Sequence, residues 1–320
     1  MFVTPPSEKP SKNFWKNSLF NPGSIVHVIH HIPEFRKWRR RLSGPAAATV
    51  TFAPTMGALH DGHASLVKSA RNLARNGTVL SSIFVNPTQF GPSEDFSKYP
   101  RTLDADLQIL ADAGCDAVFV PSADEMYSGI RTLNSQALAQ MTSIDPGPLS
   151  TVLEGAIRPG HFRGVCTVVA KLLNAVQPTH LLLGQKDFQQ QAILRRMCID
   201  LNMPVEVVTC PTVRDADGLA MSSRNRYLNP DERSRAVALY EGLTGAKRLY
   251  DAGERSAATL ESEMRLRLEA RHLQVQYAVA AHPETLALWV AQPDGRIAGP
   301  CVFLIAAKLG STRLIDNMLL

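Results

Sequence analysis

Four polar clusters in this chain have residue types and spacing suited to handling phosphate. The first is Pro54-Thr55-Met56-Gly57-Ala58-Leu59-His60-Asp61-Gly62-His63. It follows an apolar run and precedes a helical pattern. A helix start presents unpaired N–H groups and a positive dipole end, which suits an anion. Imidazoles there can donate hydrogen bonds to phosphate oxygens, and glycines let a nucleotide approach the backbone. The competing reading is a helix N-terminal turn with surface histidines. The second cluster runs from Asn86 through Gln89, Phe90 and Gly91 to Asp95, then Lys98-Tyr99-Pro100-Arg101. So long a loop, mixing amides, aromatics and glycine, reads as a binding loop. Just beyond it, Asp104 and Asp106 could reach a metal, but their spacing favours the first turn of a helix.

The third cluster is Gly184-Gln185-Lys186-Asp187-Phe188-Gln189-Gln190. A lysine at a strand's carboxyl end acts on phosphate as a point charge. Gln190 offers both a donor and an acceptor to a small polar ligand. Asp187 can instead cap the following helix, a role compatible with function. The fourth runs Asp217-Gly218-Leu219-Ala220-Met221-Ser222-Ser223-Arg224-Asn225-Arg226, where consecutive hydroxyls beside arginine suit an oxyanion. The sequence contains neither a Gly-x4-Gly-Lys-Ser/Thr loop nor a Gly-x-Ser-x-Gly elbow, which excludes a P-loop phosphotransferase and an elbow-type hydrolase.

The elements that must position these clusters alternate. Strands are predicted at Ala48–Phe52, Thr78–Val85, Asp116–Val120, His180–Leu183 and Val205–Cys210. Helices are predicted at Gly62–Arg75, with Leu66, Val67, Ala70, Leu73 and Ala74 inward, and at Thr102–Ala113, with Leu103, Leu107 and Leu110 on one face. Two more are predicted at Val165–Val176 and Gln189–Leu201. A basic amphipathic helix over Ile32–Leu42 puts Ile32, Phe35, Trp38 and Leu42 on its apolar face. Alternation of this kind predicts an α/β fold, a Rossmann-like doubly wound parallel sheet whose ligands bind beyond the strands' carboxyl ends. After Pro211 the order changes to helices (Asp231–Ala252, Ser256–Arg271) followed by strands (Val275–Ala280, Cys301–Leu309). Three parts are therefore expected: a flexible basic extension over 1–24, a nucleotide-binding α/β domain over 25–211, and a smaller α+β domain over 212–320.

Composition narrows the partners. The chain has 320 residues, 45% hydrophobic and 20% charged, an ordinary globular composition. Its net charge is +5, but residues 1–50 alone sum to +6, leaving the remainder at −1. The basic excess therefore belongs to one end, which argues against nucleic acid as partner of the body. No apolar run reaches the roughly 18 residues of a membrane helix, and no secretory leader is apparent. Five scattered cysteines argue against a disulfide framework and fit a reducing, cytoplasmic compartment.

Taken in order, the clusters resemble the pantoate–β-alanine ligase (pantothenate synthetase) family. The matching stretches are Pro54 to His63, Ser82 to Pro87 with Gln89-Phe90-Gly91, Tyr99-Pro100-Arg101, Gly184 to Asp187 with Gln189-Gln190, Met221 to Asn225, and the tail Ala307 to Asn317. The likeness runs from about residue 25 to 317. The short His-x-Gly-His element alone indicates only the wider superfamily of nucleotidyltransferases and class I aminoacyl-tRNA synthetases. A nucleotidyltransferase relative, or an inactive nucleotide-binding homologue, is the alternative. The resemblance implies ATP-dependent joining of (R)-pantoate to β-alanine through pantoyl adenylate, releasing AMP and pyrophosphate. It also implies magnesium with ATP, no tightly bound organic cofactor, and a homodimer.

Residue roles follow from the same resemblance. Met56, Gly57, Ala58, Leu59, His60, Asp61, Gly62 and His63 line the ATP site, with His63 as proton donor and His60 on phosphate. Gly184, Gln185, Lys186 and Asp187 hold the nucleotide, with Lys186 on its phosphates. Met221, Ser222, Ser223 and Arg224 oppose them, and Val213 meets adenine through its backbone. Gln89 and Gln190 orient pantoate, with Gln89 also near β-alanine. Two positions depart from the family pattern: a glutamine of the metal region is Ile109, and the Tyr277–His282 segment lacks the usual charged residues. Asp106 is left as the one candidate metal ligand.

Overall fold

The computed structural model describes residues 26–91, 96–128 and 141–320. The predicted extension over 1–24 and the Pro92–Asp95 part of the second cluster lie outside these residues. Six strands form one parallel sheet: β1 (His27–Ile29), β2 (Val50–Thr55), β3 (Thr78–Ile83), β4 (Ala117–Phe119), β5 (His180–Gly184) and β6 (Glu206–Cys210). Their spatial order is β1-β4-β3-β2-β5-β6. β2 is central, with Val50 opposite Thr78 on β3 and Phe52 opposite Leu181 on β5.

Alternate residues of each strand feed opposite faces, which is why these strands read as continuous apolar runs. Phe52, Leu80, Phe119 and Leu181 pack on one face with Phe35 of α1 (Ile32–Arg39) and with α4 (His161–Val176) and α5 (Phe188–Asp200). Ala53, Val79, Val118 and Leu182 pack on the other, under Val67 and Ala70 of α2 (Asp61–Ala74) and Leu110 of α3 (Leu103–Asp112). The sheet is thus covered on both sides, as the alternation predicts.

Several details differ from the sequence reading. Strand β2 starts at Val50, because Pro45–Ala48 closes one helical turn after Gly44. Leu73 is 40% exposed, since the buried stripe of α2 runs through Ala64, Val67, Ala70 and Ala74. Leu103, in the first turn of α3, is 37% exposed while Leu110 carries the burial. Helix α4 begins at His161 rather than Val165, after Gly160 in the left-handed region. The predicted Asp231–Ala252 helix is two helices, α6 (Pro230–Ala236) and α7 (Ala238–Asp251).

Beyond β6, α7 and α8 (Ala257–Ala270) cover an antiparallel sheet of β7 (Gln274–Ala281), β8 (Val302–Leu309) and β9 (Thr312–Leu319), in that order. Leu243, Leu260 and Met264 pack there against Phe303, Ile305 and Ala307. The carboxyl ends of β2 and β5 and the 211–227 segment converge on one cleft, and β9 lines an adjoining cavity that shares Lys186, Ser222 and Arg224 with it.

Candidate active site

The cleft starts where β2 stops. After Thr55 the chain turns through Gly57 (φ 83°) and Ala58 (φ 52°) before α2 begins. A side chain at Gly57 would be strained by that φ and would press on Asp106 Oδ2 and the Ile83 side chain. Asp106 holds the turn. Its Oδ2 accepts from the Ala58 N–H (3.0 Å), and its Oδ1 accepts from the Leu59 N–H (2.8 Å) and the Thr102 hydroxyl (3.1 Å). Asp106 is 1% exposed, so both oxygens are engaged inside the protein. The carboxylate of this metal-ligand candidate here anchors a loop. Asp104, its neighbour on α3, is exposed. Among the described residues, no group of three or more His, Cys, Asp or Glu side chains is arranged to hold a metal ion.

His60 and His63 cap α2 reciprocally. The Gly62 N–H donates to His60 Nδ1 (3.1 Å), and the His60 N–H donates to His63 Nδ1 (3.4 Å). An imidazole nitrogen that accepts cannot carry the proton of the neutral ring, so each histidine holds its proton on Nε2. Their rings lie 4.2 Å apart, and both line the cleft. Gly62 is required beneath His60: an added Cβ would sit 2.8 Å from the ring. Burial pushes the His63 imidazole down to about 3, helped by His60 and Lys186 and opposed by Asp187. Burial, then Lys186 and Arg226, also lowers His60. The pair is therefore two neutral N–H donors at a helix N-terminus.

Across the cleft, Lys186 follows β5 with its ammonium 3.6 Å from Asp187. Burial alone would raise the Asp187 carboxyl, but the Lys186 and Arg224 cations hold it below its usual range. The third wall is the 211–227 segment. The Met221 N–H donates to the Val213 carbonyl (2.9 Å), folding the loop back on itself. Ser222 caps a short turn by accepting from the Arg224 N–H (3.2 Å), which leaves its hydroxyl proton available to a ligand.

The cleft also carries amides. Gln89 donates to Met56 Sδ (2.8 Å) and accepts from Asn86 Nδ2 (3.2 Å). Asn86 is 1% exposed and fixed by Tyr127, whose hydroxyl donates to its Oδ1 at 2.8 Å. Gln190 lines the same cavity of about 520 Å³. Its neighbour Gln189 plays a different part. It is buried, and its Nε2 donates to the Leu149 and Val152 carbonyls while its Oε1 accepts from the Glu154 N–H.

Of the residues singled out in the sequence, Met56, His60, Gly62, His63, Gln89, Gly184, Lys186, Asp187, Gln190, Val213, Met221, Ser222, Ser223 and Arg224 all line this cavity. Gly57, Ala58, Leu59, Asp61 and Gln185 do not. Ala58 and Leu59 give their N–H groups to Asp106, Asp61 is exposed, and Gln185 turns toward the second sheet. Sequence reasoning missed Arg158 and His161, which reach the cavity from before and at the start of α4. Arg158 donates to His161 Nε2 (2.9 Å) and His161 Nδ1–H donates to the Gln89 carbonyl (2.8 Å), so this histidine is neutral with the opposite tautomer. It also missed Thr212, whose buried hydroxyl oxygen has no partner on the cavity wall. The Arg-Pro-Gly-His run before an apolar helix was the signal that could have found the first two.

The arrangement offers two imidazole N–H groups, a lysine, an arginine, serine hydroxyls and a helix N-terminus to one bound polyanion. Residues 27–319 match the family described as Pantoate-beta-alanine ligase. The chain is 50% identical over 296 residues to pantothenate synthetase 1 of Bradyrhizobium diazoefficiens, covering 92% of this chain and 98% of that protein. It is 47% identical to the pantothenate synthetase of Thermosipho africanus, covering 92% and 100%. A crystal structure of the Thermus thermophilus enzyme superposes with a TM-score of 0.81 at 40% identity, covering 92% of this chain and 99% of that one. The Francisella tularensis pantoate-beta-alanine ligase, described as complexed with beta-gamma ATP and beta-alanine, superposes with a TM-score of 0.70 at 32% identity, covering 92% and 97%.

Proposed function

Because this chain belongs to the pantoate-beta-alanine ligase family, we propose that its cleft joins (R)-pantoate to β-alanine at the expense of ATP. The pantoate carboxylate attacks the α-phosphorus, forming a C–O–P linkage and expelling pyrophosphate. The neutral amine of β-alanine then attacks the acyl carbon of pantoyl adenylate. A C–N bond forms, the acyl C–O bond breaks, AMP leaves, and the amine's proton is lost to solvent. No enzyme nucleophile is needed, so the protein contributes positioning and charge stabilisation.

The observation that carries this reading is the convergence of phosphate donors and ligand-orienting amides on one cavity. The Nε2–H groups of His60 and His63 would face the phosphates from the α2 terminus, and Lys186, Ser222, Ser223 and Arg224 from the opposite walls. As charge builds on the leaving pyrophosphate, neutral imidazoles stabilise it by hydrogen bonding, and an imidazolium at His63 is disfavoured by its buried position. Gln89 and Gln190 would hold pantoate, Gln89 being set by Asn86 and by the backbone contact with His161. Val213 would meet adenine through its backbone. Among the described residues the donor set does not fit a protein-held magnesium cage, so the metal would enter as the counter-ion of ATP. We further propose a cytoplasmic homodimer with these small molecules as its only substrates.

The test follows AMP and pyrophosphate in the presence of ATP, magnesium, pantoate and β-alanine. Product ADP, or AMP formation that ignores pantoate, would refute the reading. Lys186→Ala is expected to slow adenylation by about a hundredfold or more, the scale seen on removing one transition-state donor.

A further inference from the structure

Resting on the assignment of Lys186 to the ATP phosphates, we propose that Asn317, on the last strand of the second sheet, is a positioning residue for the phosphate-binding loop of the first. The side-chain amide of Asn317 is buried, 2% exposed. Its two hydrogens go to consecutive carbonyls of that loop, Gln185 and Lys186, both at 2.9 Å. Its oxygen accepts from Gln185 Nε2 at 3.3 Å. Both hydrogens of this amide and one lone pair of its oxygen are taken up by the loop, a single turn over Gln185–Asp187 that has no side-chain cap of its own. Two neighbouring carbonyls drawn to one amide fix the peptide planes around Lys186, and with them the direction in which its side chain leaves the backbone.

Asn317 is itself held. Its N–H donates to Asp316 Oδ1 at 2.8 Å, and its carbonyl accepts from Arg214 at 3.4 Å. Arg214 is bidentate on the buried Asp316 carboxylate at 2.6 and 2.9 Å, and its guanidinium lies 4.4 Å from the Tyr240 ring centroid. Arg214 follows Val213 in the segment that leads to Ser222 and Arg224. One buried network therefore references two walls of the cavity, the Lys186 wall and the Ser222–Arg224 wall, to the same strand. The chemistry asks for an amide: alanine leaves two carbonyls without donors, and aspartate sets a carboxylate oxygen against them.

The experiment compares the two half-reactions in each preparation. Pantoate-dependent exchange between ATP and pyrophosphate reads adenylation. AMP release from supplied pantoyl adenylate and β-alanine reads amide formation. Their ratio does not depend on the fraction of protein folded. Asn317→Ala and Asn317→Asp are each expected to slow exchange by about tenfold or more and to raise the half-saturating ATP concentration, as misplacement of a phosphate ligand should. Amide formation should stay within about threefold, because its leaving group no longer carries the β- and γ-phosphates. In the Lys186→Ala background, Asn317→Ala should change exchange by no more than about twofold, the signature of a residue acting through the lysine. Equal losses in both half-reactions, or losses that multiply in the double variant, would overturn the positioning role. Wild-type exchange by Lys186→Ala would instead overturn the phosphate assignment on which it rests.

Discussion

Asp106→Ala separates two meanings of one carboxylate. In the sequence Asp106 is a candidate metal ligand; in the fold it closes the turn that presents His60. Removing it strands the N–H groups of Ala58 and Leu59, residues only 1% and 7% exposed, so water cannot readily replace the acceptor. Each buried donor left unmet costs about 1–3 kcal/mol, so the pair costs roughly 2–6, with a central value near 4. The Thr102 hydroxyl belongs to an exposed residue and can turn to water, adding little. At about 2–4 °C per kcal/mol for a unit of this size, the melting temperature should fall by roughly 10 °C. Asp106→Asn keeps one acceptor but aims an amide at the other N–H, so about half to the full loss is expected. Differential scanning calorimetry reads the shift. A magnesium titration of the adenylation rate reads the alternative, and its midpoint should not move. A melting point within about 2 °C of the parent, together with a magnesium requirement raised several-fold, would refute the anchoring argument.

Three further outcomes are expected. Folding lowers the His63 pKa from 6.5 to about 3, so the unfolded chain takes up its proton first. The resulting destabilisation is absent above about pH 6.5 and grows as pH falls toward 3. His63→Gln lacks this term and should unfold at a lower pH in acid titrations followed by circular dichroism, even though its adenylation is impaired. Buried Glu154 and half-buried Arg313 form a bidentate pair at 2.5 Å between the segment before α4 and β9, with the Tyr277 hydroxyl also on the carboxylate. Arg313→Met should therefore cost about 3–5 kcal/mol in urea unfolding, and Tyr277→Phe only about 1, a hierarchy a solvated pair would not give. In kinetics, Gln89→Ala should raise the half-saturating pantoate concentration by about tenfold or more while sparing that of ATP, since its amide would bind pantoate and not phosphate.

Much of the parallel sheet was legible because its strands are short, apolar and buried on both faces. β1 escaped because three residues, His27–Ile29, carry no periodicity and gain their strand character from pairing with β4. β9 escaped for another reason. Thr312, Asp316 and Asn317 look like loop residues, and all three are buried in the strand. The lone chain gives no sign that Arg214, a hundred residues earlier, will meet Asp316. The same physics divides the cavity. His60, His63 and Lys186 could be read because each lies within a few residues of an apolar strand's end, and Arg224 because it follows two consecutive hydroxyls. Arg158 and His161 could not, since their place depends on a helix start that Gly160 sets four residues earlier than the apolar pattern suggests.

The capping of the Lys186 loop by Asn317 also bears on the order in which the chain is made. Every strand of the six-stranded sheet, both histidines, the lysine and the Ser222–Arg224 turn are synthesised before β9 exists. A chain made only to that point still lacks the amide that fixes its phosphate loop. About the last tenfold of the adenylation rate would then arrive with β9.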